Sequence, residues 1–217
     1  MRYILIFLPV LFFIQAFPQN LPLGYTSYFE CNFDNNKIPA DVLSSEGAEC
    51  KIQDETLLLE DKDISDSVLL PSSLILIDNN IFGDFIMLAR LKITGEVSDS
   101  LSGIYLIAGL RDSSNYYFIQ INNNGAGFYR KYNDIVKKID FDPGFVLPTA
   151  EWLNLKVERD ILTRRVTLLC GDSKTVFTDA NLIMGYIGFG NKELNLYLDK
   201  INIWAPTSIK KAAPVFR

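Results

Sequence analysis

Histidine is absent from all 217 residues. Its absence excludes the Ser-His-Asp triad, imidazole general bases and the commonest transition-metal ligand together. Cysteine is scarce: Cys31, Cys50 and Cys170 lie too far apart for zinc-ligand spacing. Lysine and arginine never run beyond pairs, and the net charge is −5, so the chain lacks the basic footprint of a nucleic-acid binder. Asn-x-Ser/Thr sequons do not occur. No window holds a 3.6-residue apolar period over three turns, which excludes a helical core. Internal repeats and low-complexity linkers are missing as well.

The apolar and aromatic content is high, at 48% and 12%, as a packed globular chain requires. Residues 1–19 read as a secretory leader, with one charge at Arg2, an apolar run from Tyr3 to Ile14 and the small residue Ala16. The run is too short for a membrane span of roughly 20 apolar residues and is interrupted by Pro9. Cleavage after Ala16 or Gln19 leaves a secreted or extracytoplasmic chain with no membrane anchor and a charge near −6. Export permits a disulfide. Cys31 and Cys50 are the expected pair, closing a loop of about 20 residues worth roughly 3 kcal/mol; Cys170, alternating with Val166 and Leu168, is expected to be a buried free thiol.

Residues 20–204 form a succession of short β-branched and aromatic runs separated by turn residues. These are Phe29–Phe33, Cys50–Gln53, Thr56–Glu60, Leu74–Ile77, Phe82–Ile93, Gly103–Leu110, Tyr116–Ile121, Gly127–Tyr132, Ile135–Ile139, Trp152–Arg159, Arg164–Cys170, Lys174–Thr178, Gly185–Gly190 and Asn195–Trp204. So many strands at this spacing in one domain predict an all-β fold, a two-sheet antiparallel β-sandwich or jelly roll. Residues 205–217 read as a short C-terminal extension. In the last strand the apolar parity slips at Asp199-Lys200, which predicts a bulge. Arg159-Asp160 and Arg164-Arg165 read as the solvated ends of a hairpin.

The central hairpin, Ser102–Ile121, is the most informative stretch. Alternation puts Ile104, Leu106, Ala108 and Leu110 on a core face with Tyr117, Ile119 and Ile121. The opposite face then carries Tyr105, Arg111, Tyr116, Phe118, Gln120 and Asn122. Aromatic rings beside amides and a guanidinium are the groups that stack on and hydrogen-bond a sugar; they are also ordinary strand-surface residues.

The ordered set Phe29–Asp34, Gly83–Met87, Ser102–Ile121, Glu151–Arg159, Gly185–Phe189 and Tyr197–Trp204 resembles the concanavalin A-like lectin/glucanase superfamily. Within it the chain is most similar to laminin G-like domains and the 3-keto-disaccharide hydrolase domain. The resemblance implies two curved sheets with a ligand on the concave one, and makes the face carrying Tyr105, Arg111, Tyr116, Phe118, Gln120 and Asn122 the expected binding site. It also implies a structural Ca²⁺ held by Asp199 with Glu30 or Asp34, hard oxygen ligands suited to that ion. The Glu-x-Asp-x-x-Glu motif of the family's glucanases is missing. Ile107 and Phe118 stand where the keto-disaccharide hydrolase pattern has arginine and glutamate. The implied function is a non-catalytic carbohydrate-binding module with a glycan partner. The alternatives are a glycoside hydrolase with a non-standard site, or a laminin G-like domain that binds a cell-surface protein.

Overall fold

The computed structural model describes residues 21–45, 48–60, 71, 73–95 and 100–212, so the expected leader lies outside the described residues. Two antiparallel sheets pack face to face, and among the described residues there are no helices.

The first sheet is built from β1 (Thr26–Cys31), β3 (Cys50–Gln53), β4 (Thr56–Leu59), β6 (Phe85–Thr94), β11 (Trp152–Asp160), β12 (Arg165–Cys170), β13 (Ser173–Thr178) and β15 (Asn195–Ala205). Its order is β13-β12-β11-β6-β15-β4-β3, with β1 lying end to end with β4 along β15. The second sheet holds β2 (Val42–Ser44), β5 (Ser73–Phe82), β7 (Gly103–Asp112), β8 (Asn115–Asn122), β9 (Gly125–Tyr132), β10 (Ile135–Asp142), β14 (Gly185–Lys192) and β16 (Ser208–Lys210). Its order is β10-β9-β8-β7-β14-β5-β16, with β2 also on β5. Past β15 the chain crosses back to the second sheet, where Ser208–Lys210 pairs with β5.

Side-chain alternation explains the core. Leu155 and Val157 of β11, Leu91 and Ile93 of β6, Ile119 and Ile121 of β8 and Ile187 and Phe189 of β14 all point into the space between the sheets. Each buried aliphatic or aromatic side chain contributes about 1.5–3 kcal/mol. Stacked Phe128 and Phe177, with ring centroids 5.5 Å apart, join the two sheets at one end. The register of β15 shifts between Leu198 and Lys200, the bulge that the parity slip predicts. The run Phe82–Ile93 is not one strand. The bend at Gly83-Asp84 divides it into β5 and β6, which belong to different sheets, and the Asp84 carboxylate accepts a hydrogen bond from the Ile161 amide at 2.6 Å.

The expected disulfide is absent: Cys31, Cys50 and Cys170 are all free thiols. Register gives the reason. Cys31 lies opposite Ile201 on β15, whereas Cys50 lies opposite Leu59, which lies opposite Leu196. The two cysteines are one strand apart and about five residues out of step, roughly 15 Å between Cα atoms. A disulfide needs about 7 Å or less. Cys170 is half-buried against the core, and burial raises the pKa of all three thiols, that of Cys50 to about 11.

Candidate functional site

The outward face of the second sheet divides into a sealed middle and two open ends. Tyr105 and Phe118 are fully buried, Gln120 and Tyr116 nearly so. Phe118 stacks on Tyr129 with centroids 5.0 Å apart, and its ring is 5.7–5.8 Å from those of Tyr116 and Tyr105. With Leu74, Leu76, Ile107, Leu110 and Tyr186 these rings form a second apolar cluster. Tyr105, Tyr116, Phe118 and Gln120 thus share a face, as alternation predicts, and their neighbours seal Tyr105 and Phe118 beneath its surface. Their polar neighbours are spent internally. The Tyr105 hydroxyl donates to the Leu101 carbonyl at 2.6 Å. The amide nitrogens of Gln120 and Asn122 donate to the carbonyls of Ser100 and Ser102 at 2.9–3.3 Å, holding that segment down. One small cleft of about 190 Å³ remains at this end, between Asn122, Tyr129, Lys138 and Phe141.

The larger cleft lies at the opposite end of β8 and encloses about 830 Å³. Two hairpin tips form one wall, and the segment between β13 and β14 forms the other. Its lining includes Arg111, Asn115, Tyr116, Tyr117, Arg130, Lys131, Tyr132, Asn133, Asn181, Leu182 and Ile183. Of the six residues expected to bind, Arg111 and Tyr116 line this cleft, while Gln120 and Asn122 line the small one.

The rim is held by tight turn geometry and by hydrogen bonds between the two hairpin tips. Asn133 and Asp134 turn the β9–β10 hairpin with φ of 48° and 63°, the left-handed pair a tight hairpin favours. That tip is laced to the β7–β8 tip. The Ser114 hydroxyl donates to Asp134 at 2.8 Å, the Asn133 amide to the Asn115 side chain at 3.2 Å, and Lys131 to the Ser113 carbonyl at 2.8 Å. Lys131 also pairs with Asp134 at 3.0 Å; chiefly this contact, with the Ser114 bond, holds the Asp134 carboxyl below its ordinary pKa. On the floor, Arg130 pairs with Asp179 at 3.2 Å. The buried Tyr117 hydroxyl sits beside this pair without a hydrogen bond of normal geometry, and burial raises its pKa.

Arg111 reaches the cleft because β7 breaks alternation twice. Its pairing with β8 slips between Ile107 and Leu110 and again between Leu110 and Asp112. The first slip turns Leu110 away from the core, overturning its expected place, and the second leaves Arg111 as the bulged residue. Bulges re-aim side chains in this way. Gly109 permits the first: its φ is +126°, and a Cβ there would lie 2.5 Å from Nη1 of Arg159. Arg159 itself is not a solvated hairpin end. It points inward with Leu155 and Val157, is 1% exposed, and donates to the carbonyls of Ala108, at 2.7 Å, and Ile183. Burial pulls its pKa down to about 10, so it stays charged at neutral pH. One buried guanidinium thus ties the bulged strand to the opposite wall of the cleft. Gly109 inside an apolar run was the only sequence signal for this arrangement.

The carboxylates expected to hold calcium are employed elsewhere. Asp199 pairs with Arg90 at 2.6 Å, and that guanidinium lies 5.0 Å from the Trp152 ring. Glu30 faces Lys200 at 3.5 Å, and Asp34 accepts from the Asn32 amide. Among the described residues no group of three or more potential ligands could hold a metal ion.

Solved structures place this architecture in a class. The fold is that of concanavalin A-like and galectin-like jelly rolls, at sequence identities that speak for the fold alone. A Bacillus subtilis protein of unknown function with a galectin-like fold superposes with a TM-score of 0.61 at 11% identity, covering 86% of this chain and all of that one. A carbohydrate-binding module from Bacillus subtilis gives 0.52 at 15%, covering 76% and 92%. A prokaryotic β-1,3-1,4-glucanase (lichenase) from a mouse hindgut metagenome gives 0.55 at 12%, covering 82% and 99%. No protein-family model and no curated protein matches the sequence.

Proposed function

We propose that this chain is an exported carbohydrate-binding protein that holds a glycan in the cleft between the hairpin tips and the wall at residues 180–183, without breaking a bond. The observation that carries this reading is the composition of that cleft. Tyr132, 63% exposed, offers an aromatic platform at the rim. Around it stand the Asn133 side-chain amide and the Arg111 guanidinium, with the remaining N–H and oxygen lone pairs of Asn115 and Asn181, whose amides also bond within the rim; these are donors and acceptors matched to sugar hydroxyls. The volume holds a few sugar rings, and the laced rim is pre-organised, so little ordering opposes binding. Structural likeness to a carbohydrate-binding module supports the reading; likeness to a lichenase raises hydrolysis. Glycoside hydrolysis uses two carboxyl groups facing the scissile bond. Here Asp112 caps the hairpin turn, accepting from Ser114 and Asn115 at 2.8–2.9 Å, and Asp179 is held by Arg130.

The test is a glycan array probed with residues 20–217, with reducing ends measured on every retained glycan. Retention without new reducing ends, weakened about tenfold or more by Tyr132→Ala, is the expected result. Release of reducing ends would make the protein a hydrolase. Retention of no glycan would reject the reading in favour of a protein partner.

A further inference from the structure

We infer that the glycan recognised carries a carboxylate, a uronic-acid sugar, and that Arg111 is the residue that binds it. The inference rests on the carbohydrate-binding reading above.

The cleft holds several charges, and all but one are already answered. Arg130 is paired with Asp179 at 3.2 Å. Lys131 is paired with Asp134, bonded to the Ser113 carbonyl, and lies 5.6 Å from the Tyr116 ring centroid. Asp112 is committed to the turn. Arg111 alone has no hydrogen bond or ion pair among the described residues. A guanidinium carries five N–H donors and accepts nothing, so its partner must be an acceptor, best a planar one that meets its fork with two oxygens.

Its position is as specific as its chemistry. Arg111 is the residue bulged out of β7, and it is shared between the large cleft and a neighbouring one of about 550 Å³ that runs on past Leu182 and Ile183 toward Tyr186 and Lys211. A chain crossing from one cleft to the other passes over it. The concave setting, partly walled by Leu182 and Ile183, focuses its field more than open surface would. Below, the Tyr117 hydroxyl is buried beside Arg130 and Asp179 and closes the floor of the cleft. Buried Arg159 braces both sides of Arg111 through the Ala108 and Ile183 carbonyls.

A carboxylate suits this setting better than a sulfate or phosphate ester. Among the described residues Arg111 is the one unpaired cation of the larger cleft, and it answers one charge there. Asp112, Asp134 and Asp179 nearby, on a chain of net charge −5, oppose a denser polyanion.

The test uses polygalacturonate, alginate and glucuronoxylan, each compared with its carboxyl-reduced form, in which the uronate has become a neutral hexose. Calorimetry with the leaderless chain should show binding to at least one acidic polymer and at least tenfold weaker binding to its reduced form. Arg111→Gln should lose about 10–100-fold, the span expected for a hydrogen bond to a charged group. Arg111→Lys should recover part of that, and unchanged melting temperatures would show both variants folded. Equal affinity for acidic and reduced polymers, or retention of neutral glycans alone, overturns the inference while leaving carbohydrate binding intact. Full affinity in Arg111→Gln removes the role assigned to that residue. Binding to no glycan of any kind rejects the carbohydrate reading itself, and this inference with it.

Discussion

Replacing Arg159 tests whether a buried charge is what holds the cleft together. In Arg159→Met the stem is kept and two hydrogen bonds to charged donors are lost, each worth about 1.5–3 kcal/mol. Part of that is returned, because the charge is desolvated in the native state. Its pKa, lowered from 12.5 to about 10, corresponds to a cost of about 3 kcal/mol that methionine avoids. The difference leaves a net destabilisation of about 1 kcal/mol, or about 2–4 °C in melting temperature for a chain of this size. Arg159→Lys is the sharper variant. It keeps a buried charge but offers a compact ammonium on a narrower stem, which cannot span carbonyls on β7 and on the opposite wall together. It should therefore lose as much as the methionine variant or more, despite its conserved charge. Urea unfolding would read both, and hydrogen exchange at residues 180–184 should rise ahead of global unfolding. Wild-type stability in Arg159→Met, or a lysine variant as stable as the parent, would refute the bridge.

Three further outcomes follow from the structure. Ellman titration in guanidinium without reductant should find three thiols per chain, and the native protein at pH 8 should react slowly because burial keeps the Cys50 pKa near 11; one thiol per chain would restore the disulfide. The Asp134 carboxyl is held below its ordinary value of 3.8, chiefly by Lys131, so its contribution is present above that pH and lost as pH falls through its lowered value. Asp134→Asn should flatten the acid limb of a melting-temperature profile from pH 2.5 to 6 and weaken glycan binding at pH 7 several-fold; an unchanged limb would mean the lacing is unimportant. Since Asp199 and Glu30 already face cations, excess EGTA should leave the melting temperature unchanged; a fall of several degrees would restore a calcium site.

Period-2 alternation made most of the sandwich legible, because a strand with one face in the core repeats at its own geometry. It located Leu155 and Val157, paired β7 with β8, and placed the bulge after Leu198. It failed where the backbone inserts an extra residue. Beyond Ile107, strict alternation puts Leu110 inside and Arg111 beside Tyr105; the two slips reverse the first and send the second to the rim. Alternation also names a face without saying whether it is wet. Tyr105 and Phe118 share the predicted face, yet a cluster of neighbouring rings seals them in. The partner of Arg111 across the cleft, residues 180–183, comes from some 70 positions later in the chain, and no local pattern announces that meeting.

The positions of the last two long strands govern how the chain can fold. β14 lies between β7 and β5, and β15 lies between β6 and β4, so the final quarter of the polypeptide fills the middle of both sheets. Before residues 185–205 are in place, each sheet is two unjoined fragments with raw inner edges, and β1 has nothing to pair with. Such long-range closure makes for slow, late folding. A chain cut short of β14 would retain every residue of the hairpin tips and still lack the two strands that join each sheet into one.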